Sequence, residues 1–188
     1  PHAEDPFAPR ALGNRGSNLP HHVPKQRAEL IVRQPGFLQA FQEHGATARL
    51  EFLLCAPESP SSQRARELGV AGKIEWRGRV SEQEKFDLYA RALMVIFTPV
   101  DEDYGYVTPE AMLSSKGVLT LEDSGGATEF VVHEQCGLTV QAEPRAIALA
   151  ISRVWNDRGE AERLGAAARE RIDKIDLSWP RVLQGLLR

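Results

Sequence analysis

A chain of 188 residues with 42% hydrophobic content is long enough for one ordinary domain, able to bury roughly 70% of its unfolded surface without disulfide or metal staples. Its 23 basic and 26 acidic residues are spread along the sequence and leave a net charge of -3, which gives no electrostatic footprint for nucleic acid and no evident membrane association. Cys55 and Cys136 are too few for a disulfide framework or a metal site, no apolar run approaches the roughly 20 residues of a spanning helix, and no signal-peptide pattern opens the chain, so a cytoplasmic protein is expected.

Residues 1–24, with Pro1, Pro6, Pro9, Pro20 and Pro24 among glycines and histidines, show no period and read as an irregular N-terminal arm. His21 and His22 have no acid or cysteine at ligand spacing and read as polar loop residues. Residues 25–188 form the domain proper. From Gln26 the apolar positions Leu30, Ile31, Phe37, Leu38 and Phe41 suggest helix, interrupted at Pro35-Gly36, hence two short helices. Residues 48–56 are a nearly continuous apolar run ended by Pro57, which suits a strand covered on both faces. A short helix over 61–68 and a strand over 73–76 follow. Ser81 with Glu84 three residues later is a capping box, and Phe86, Tyr89, Ala90 and Leu93 mark one face of the helix it opens.

The strand over 93–98 leads into the stretch EDYGYVTPEAM, Glu102 to Met112. A helix starting between Tyr106 and Pro109 is expected here, since proline has no N–H to lose in a first turn. A strand, a glycine turn and a helix N-terminus aim unpaired N–H groups at one point, where the dipole adds positive character. Such a point attracts a phosphate, with Glu102 and Glu110 flanking it to grip sugar hydroxyls. Beyond lie a strand at 117–121, a turn at Asp123-Ser124-Gly125-Gly126, a short helix over 127–132 and a strand at 137–140. Helix then predominates from Pro144, with an Ile147, Ile151, Val154 stripe, an Ala-rich segment to Ile172 and a tail bearing Trp179, Val182, Leu183 and Leu186. Strands alternating with helices predict an α/β fold, a Rossmann-like doubly wound parallel sheet with its ligand outside the carboxyl ends of the strands. His133, after a short helix, reads as a C-terminal capping cation rather than a base. Ser114, Ser115 and Ser124 have no nucleophile motif.

EDYGYVTPEAM, then VLTLEDSGGATEFV, then GLTV resembles the C-terminal, donor-binding half of the group 1 glycosyltransferases, retaining enzymes of the GT-B fold. The ordered set is Glu102, Gly105, Glu110, Ala111, Met112, Gly125, Gly126, Glu129 and Gly137. It covers residue 73 onward well and 25–54 weakly. The resemblance implies that Glu110 grips the ribose diol of a nucleotide-diphosphate sugar, as acids do in dinucleotide folds. It implies that Glu102 contacts donor-sugar hydroxyls and that the N–H groups of Gly105, Tyr106 and Val107 face the sugar and its phosphate, Gly105 allowing close approach. Val80 would touch the base through its backbone, and Glu129 either sits near the donor or only opens its helix.

A leaving nucleoside diphosphate needs cations. The family supplies an Arg and a Lys; Lys25 and Arg27, before a helix resembling the family's, are the candidates here. The family's arginine falls near Asn18, with Arg15 displaced from it, and Ser114-Ser115-Lys116-Gly117 replaces a usual glycine and proline. No metal or other cofactor is expected, since in GT-B enzymes helix and basic residues neutralise the phosphate. The acceptor-binding N-terminal domain of the family is absent from these residues, so the fragment is expected to bind donor weakly and transfer little. The rival readings are a non-catalytic nucleotide-sugar-binding or interaction module and another GT-B enzyme such as a nucleotide-sugar epimerase or a phosphorylase.

Overall fold

The computed structural model describes residues 29–32, 42, 49–53 and 60–175. Its strands are β1 Glu29–Val32, β2 Arg49–Leu53, β3 Ile74–Gly78, β4 Ala92–Ile96, β5 Val118–Leu121 and β6 Gly137–Val140. Its helices are α1 Pro60–Glu67, α2 Glu82–Arg91, α3 Val107–Leu113, α4 Ala127–Phe130, α5 Pro144–Asn156 and α6 Arg158–Ile175. Every strand pairing is parallel, in the order β3-β2-β1-β4-β5-β6. The chain winds outward from β1 through β2 to β3, then returns to β4 on the other side of β1. The order therefore reverses between β1 and β4, where doubly wound sheets open a crevice at the carboxyl ends of their strands.

A parallel sheet is covered on both faces, so its central strands need no polar side. In β4 the pleat sends Met94 and Ile96 into one core, with Leu119, Leu121, Leu138, Ile147, Ile151, Val154 and Leu164. Val95 and the following Phe97 enter the other, with Leu88, Tyr89, Val107, Met112, Val118, Phe130 and Ile172. The stripe expected on α5 is real: Ile147, Ile151 and Val154 are all buried.

The segment from Gln26, expected as helix, contains β1 instead. Leu30, Ile31 and Val32 pair in register with Leu50, Glu51 and Phe52 on one side and Met94, Val95 and Ile96 on the other. Three consecutive apolar residues satisfy a central strand, whose two neighbours are supplied by residues far along the chain. Residues 1–28, 33–41 and 176–188, including the expected arm and the apolar tail, lie outside the described residues, as does Cys55.

The capping box is half formed. Ser81 Oγ accepts the Glu84 N–H at 3.2 Å, while the Glu84 carboxylate turns outward, 3.9 Å from Arg77 Nη1. Ser81→Ala is expected to cost about 1 kcal/mol, read as a melting temperature lower by roughly 2–4 °C. The Ser114–Gly117 turn is wedged between helices: Lys116 Nζ donates to the Ala90 carbonyl at the end of α2 at 3.0 Å, and a Cβ on Gly165 of α6 would fall 2.2 Å from the Ser115 carbonyl oxygen. No helix among the described residues is long and apolar enough to cross a membrane.

Candidate functional site

β4 delivers the chain to the crevice, and the ten residues between Ile96 and Val107 form a loop pinned to the loop after β5. Ser124 is wholly buried; its hydroxyl donates to the Pro99 carbonyl at 2.8 Å and accepts the Leu121 N–H at 3.1 Å. Asp101 N–H donates to Asp123 O at 2.9 Å, and Gly126 N–H to Glu102 O at 2.7 Å. Asp101 is held at φ 48°, a left-handed conformation that aspartate tolerates better than most residues. These bonds orient Glu102.

The two glycines of the 123–126 turn make this contact possible. A Cβ on Gly126 would lie 2.4 Å from Asp103 O, and one on Gly125 2.5 Å from Glu102 O, backbone against backbone. Ser124, with no nucleophile motif in the sequence, is thus a structural fastener, and the Gly-Gly pair is the seat of the Glu102 loop.

Gly105 has φ 68°, and a Cβ there would strike Phe97 Cε1 at 2.8 Å and reach Glu102 Cγ at 3.5 Å. Glycine is therefore required by the turn and by the Phe97 ring beneath it, beyond any need of a ligand to come close. Tyr104 packs edge-on to Phe130, ring centroids 5.5 Å apart, and lies 4.7 Å from the ring of Tyr106, which projects outward with 71% exposure.

α3 begins at Val107. Thr108 N–H closes on Gly105 O at 2.8 Å and Glu110 N–H on Tyr106 O at 3.1 Å, whereas the N–H groups of Gly105, Tyr106 and Val107 meet no acceptor among the described residues. These are the donors that a helix start leaves unpaired. The Glu102 carboxylate, exposed and next to Gly105, likewise has no hydrogen bond or ion pair among the described residues.

Glu110 is anchored from α2. Lys85 Nζ donates to its Oε1 at 2.9 Å and Tyr89 OH to its Oε2 at 3.1 Å. Lys85 also faces Glu82 at 3.1 Å. Burial acts to lower the Lys85 pKa, but the hydrogen bonds and charges of Glu110 and Glu82 outweigh it and hold the ammonium above its ordinary value. Lys85 was not legible as a site residue: on its own helix it reads as one more surface charge, and its partner lies 25 residues away.

The remaining candidates divide. Val80, between β3 and Ser81, is half-buried and packs on the same core cluster as Val107 and Tyr89. Glu129, in α4, exposes a carboxylate without an ion pair among the described residues, and its carbonyl accepts from Arg171 Nη2 at 3.0 Å. Lys25 and Arg27 lie outside the described residues, and the element that follows them is β1 rather than a helix. His133 makes another contact than the expected cap: its Nδ1 accepts the Thr139 N–H at 3.0 Å, which ties the residue to β6.

The parallel sheet, with two carboxylates and a set of open N–H groups in the segment that follows β4, is a doubly wound α/β domain. Residues 38–171, more than half of the chain, match the family model for glycosyl transferases group 1, and the chain belongs to that family of glycosyltransferases. It is 24% identical over 110 residues to alpha-1,3/1,6-mannosyltransferase ALG2 of Dictyostelium discoideum, a match covering 58% of this chain and 26% of that protein. Sucrose-phosphate synthase from Thermosynechococcus elongatus superposes with a TM-score of 0.71 at 20% identity, over 88% of this chain and 45% of that one. Anabaena Alr3699/HepE, in complex with UDP-glucose, superposes with a TM-score of 0.68 at 20% identity, over 85% and 49%. The fold is thus one half of the GT-B architecture, and the chain spans about a quarter of that curated relative and less than half of either solved structure.

Proposed function

We propose that this chain is the donor-binding half of a retaining glycosyltransferase, holding a nucleotide-diphosphate sugar in the crevice at the carboxyl end of β4. The observation that carries this reading is that a Glu102 carboxylate with no partner among the described residues, the open N–H groups of Gly105, Tyr106 and Val107, and the anchored carboxylate of Glu110 all lie within one strand-turn-helix. Acceptors at Glu110 suit the ribose diol, the N–H groups suit phosphate oxygens, and Glu102 suits the hydroxyls of the sugar being transferred. HepE, a structure of the same fold, is in complex with UDP-glucose, which supports a donor of that class here.

Departure of the nucleoside diphosphate develops negative charge that the unpaired Glu102 carboxylate would oppose, so basic residues must meet it. Lys25 and Arg27 precede β1, on the side of its amino end in sequence. Arg33 is the basic residue that follows the strand directly, which makes it a further candidate for this role. No metal is needed if these cations and the N–H groups neutralise the phosphates. Acceptor recognition and water exclusion would come from a second, acceptor-binding domain, as the family resemblance implies.

Calorimetric titration with ADP, GDP and UDP, then with nucleotide sugars of whichever binds, tests the reading. One nucleoside diphosphate is expected to bind, and Glu102→Ala to leave its affinity within about twofold while weakening its sugar conjugate roughly tenfold, the worth of one hydrogen bond to a charged group. The chain alone is expected to transfer little or no sugar. Failure of all three nucleotides to bind would sink the reading, and robust transfer by these residues alone would sink the claim that they are a half.

A further inference from the structure

Lys85 and Tyr89 stand four residues apart on α2, so they share one face of a single rigid element. Each takes a different oxygen of the Glu110 carboxylate. A carboxylate held at one oxygen can still swivel about its last torsion; held at both from the same helix, it cannot turn without breaking a bond. Both donors are themselves fixed. Tyr89 is 1% exposed, within the core formed by Leu88, Val107 and Met112, and Lys85 is shared between Glu110 and Glu82.

A carboxylate offers roughly four lone-pair directions, two on each oxygen. With one direction on each oxygen taken by α2, each oxygen retains one. Two acceptors fixed in one plane match two adjacent hydroxyls and are half used by one. The ammonium also neutralises Glu110, so a phosphate group seated nearby does not meet an uncompensated carboxylate.

We propose that Lys85 and Tyr89 are positioning residues that lock the Glu110 carboxylate in the orientation that distinguishes a ribose diol from a 2′-deoxyribose. Specificity for the nucleotide's pentose then resides in the α2 clamp and not in Glu110 alone. This rests on the reading that Glu110 receives the ribose. A clamp with a purely structural role would change stability and would weaken all nucleotides alike; a positioning role changes the ratio between ribonucleotide and deoxyribonucleotide.

The test is titration of the 188-residue chain with the nucleoside diphosphate it binds best among ADP, GDP and UDP, and with the 2′-deoxy form of the same nucleotide. Wild type, Lys85→Met, Lys85→Arg and Tyr89→Phe are compared, each checked for folding by circular dichroism and melting. Wild type is expected to prefer the ribonucleotide by about tenfold or more, as loss of one hydrogen bond to a charged acceptor implies. Lys85→Met and Tyr89→Phe are expected to bring the ratio within about threefold by weakening the ribonucleotide and sparing the deoxy form. Lys85→Arg restores most of the preference. Should Lys85→Met fail to fold, Tyr89→Phe, which keeps the buried ring, carries the test. Folded variants that retain the wild-type ratio, or that lose both nucleotides equally, overturn the clamp while leaving the donor-site reading intact. A wild type that binds none of the three nucleotides overturns both.

Discussion

Glu110→Ala is expected to reduce nucleoside diphosphate affinity by about 10- to 100-fold or more, because two hydrogen bonds to a charged acceptor disappear together. The contrary view makes Glu110 a first-turn acid that stabilises α3 through the helix dipole, worth about 0.3–1 kcal/mol and nothing for binding. The two are separable. The dipole view predicts a slightly lower melting temperature with unchanged affinity, whereas the ribose view predicts lost affinity whatever happens to stability. Glu110→Ala also leaves Lys85 with Glu82 as its remaining ion-pair partner, so Glu110→Gln is the companion variant. It preserves shape and one acceptor oxygen, turns the other into a donor that must face Lys85 or Tyr89, and is expected to fall between wild type and alanine. Calorimetry with melting curves on the same samples decides; affinity unchanged in a folded Glu110→Ala chain would end the ribose assignment.

A second large effect is expected at Gly126. Its alanine Cβ would sit 2.4 Å from Asp103 O and 3.0 Å from Asp103 C, and neither atom is the yielding tip of a side chain. The 101–104 loop must lift by roughly 1 Å to restore ordinary carbon contacts. Lifting it breaks the Gly126 N–H bond to Glu102 O and displaces the Glu102 carboxylate from its place beside Gly105. Overpacking of this kind costs about 1–3 kcal/mol, or roughly 2–12 °C in melting temperature for a domain of this size. Nucleotide-sugar affinity should fall by more than nucleoside diphosphate affinity, since Glu102 moves farther than Glu110. Gly125→Ala should be worse, because φ 62° adds left-handed strain to a 2.5 Å contact. Gly72→Ala is the control: a Cβ there meets nothing within 4 Å, so stability and binding should stay near wild type. If Gly126→Ala melts and binds like Gly72→Ala, the seat of the Glu102 loop lies elsewhere.

The elements most legible in the sequence were those whose signals are local. Ser81 with Glu84 announced α2, the apolar run before Pro99 announced β4, and a proline in a first turn announced α3; all are present within a residue or two. The order of carboxylates and glycines announced the family. β1 was misread because Leu30 and Ile31 were grouped with Phe37, Leu38 and Phe41 as a helical pattern, and only β2 and β4 on either side make the segment a strand. His133 was misread because its partner, the Thr139 N–H, belongs to the following strand.

By itself, then, the sequence determined the alternation of strand and helix from β2 onward, the turn and cap chemistry, and which acids and glycines stand in the family's order, since these depend on neighbours a few residues apart. Tertiary structure alone decided why the glycines are needed: Phe97 lies beneath Gly105, and the loop after β4 lies flat on Gly125 and Gly126. It also decided that Glu110 is held by Lys85 and Tyr89. The reason is physical. A glycine's clearance and a carboxylate's donors are set by atoms that folding brings in from other elements, and no local periodicity records which atoms those will be.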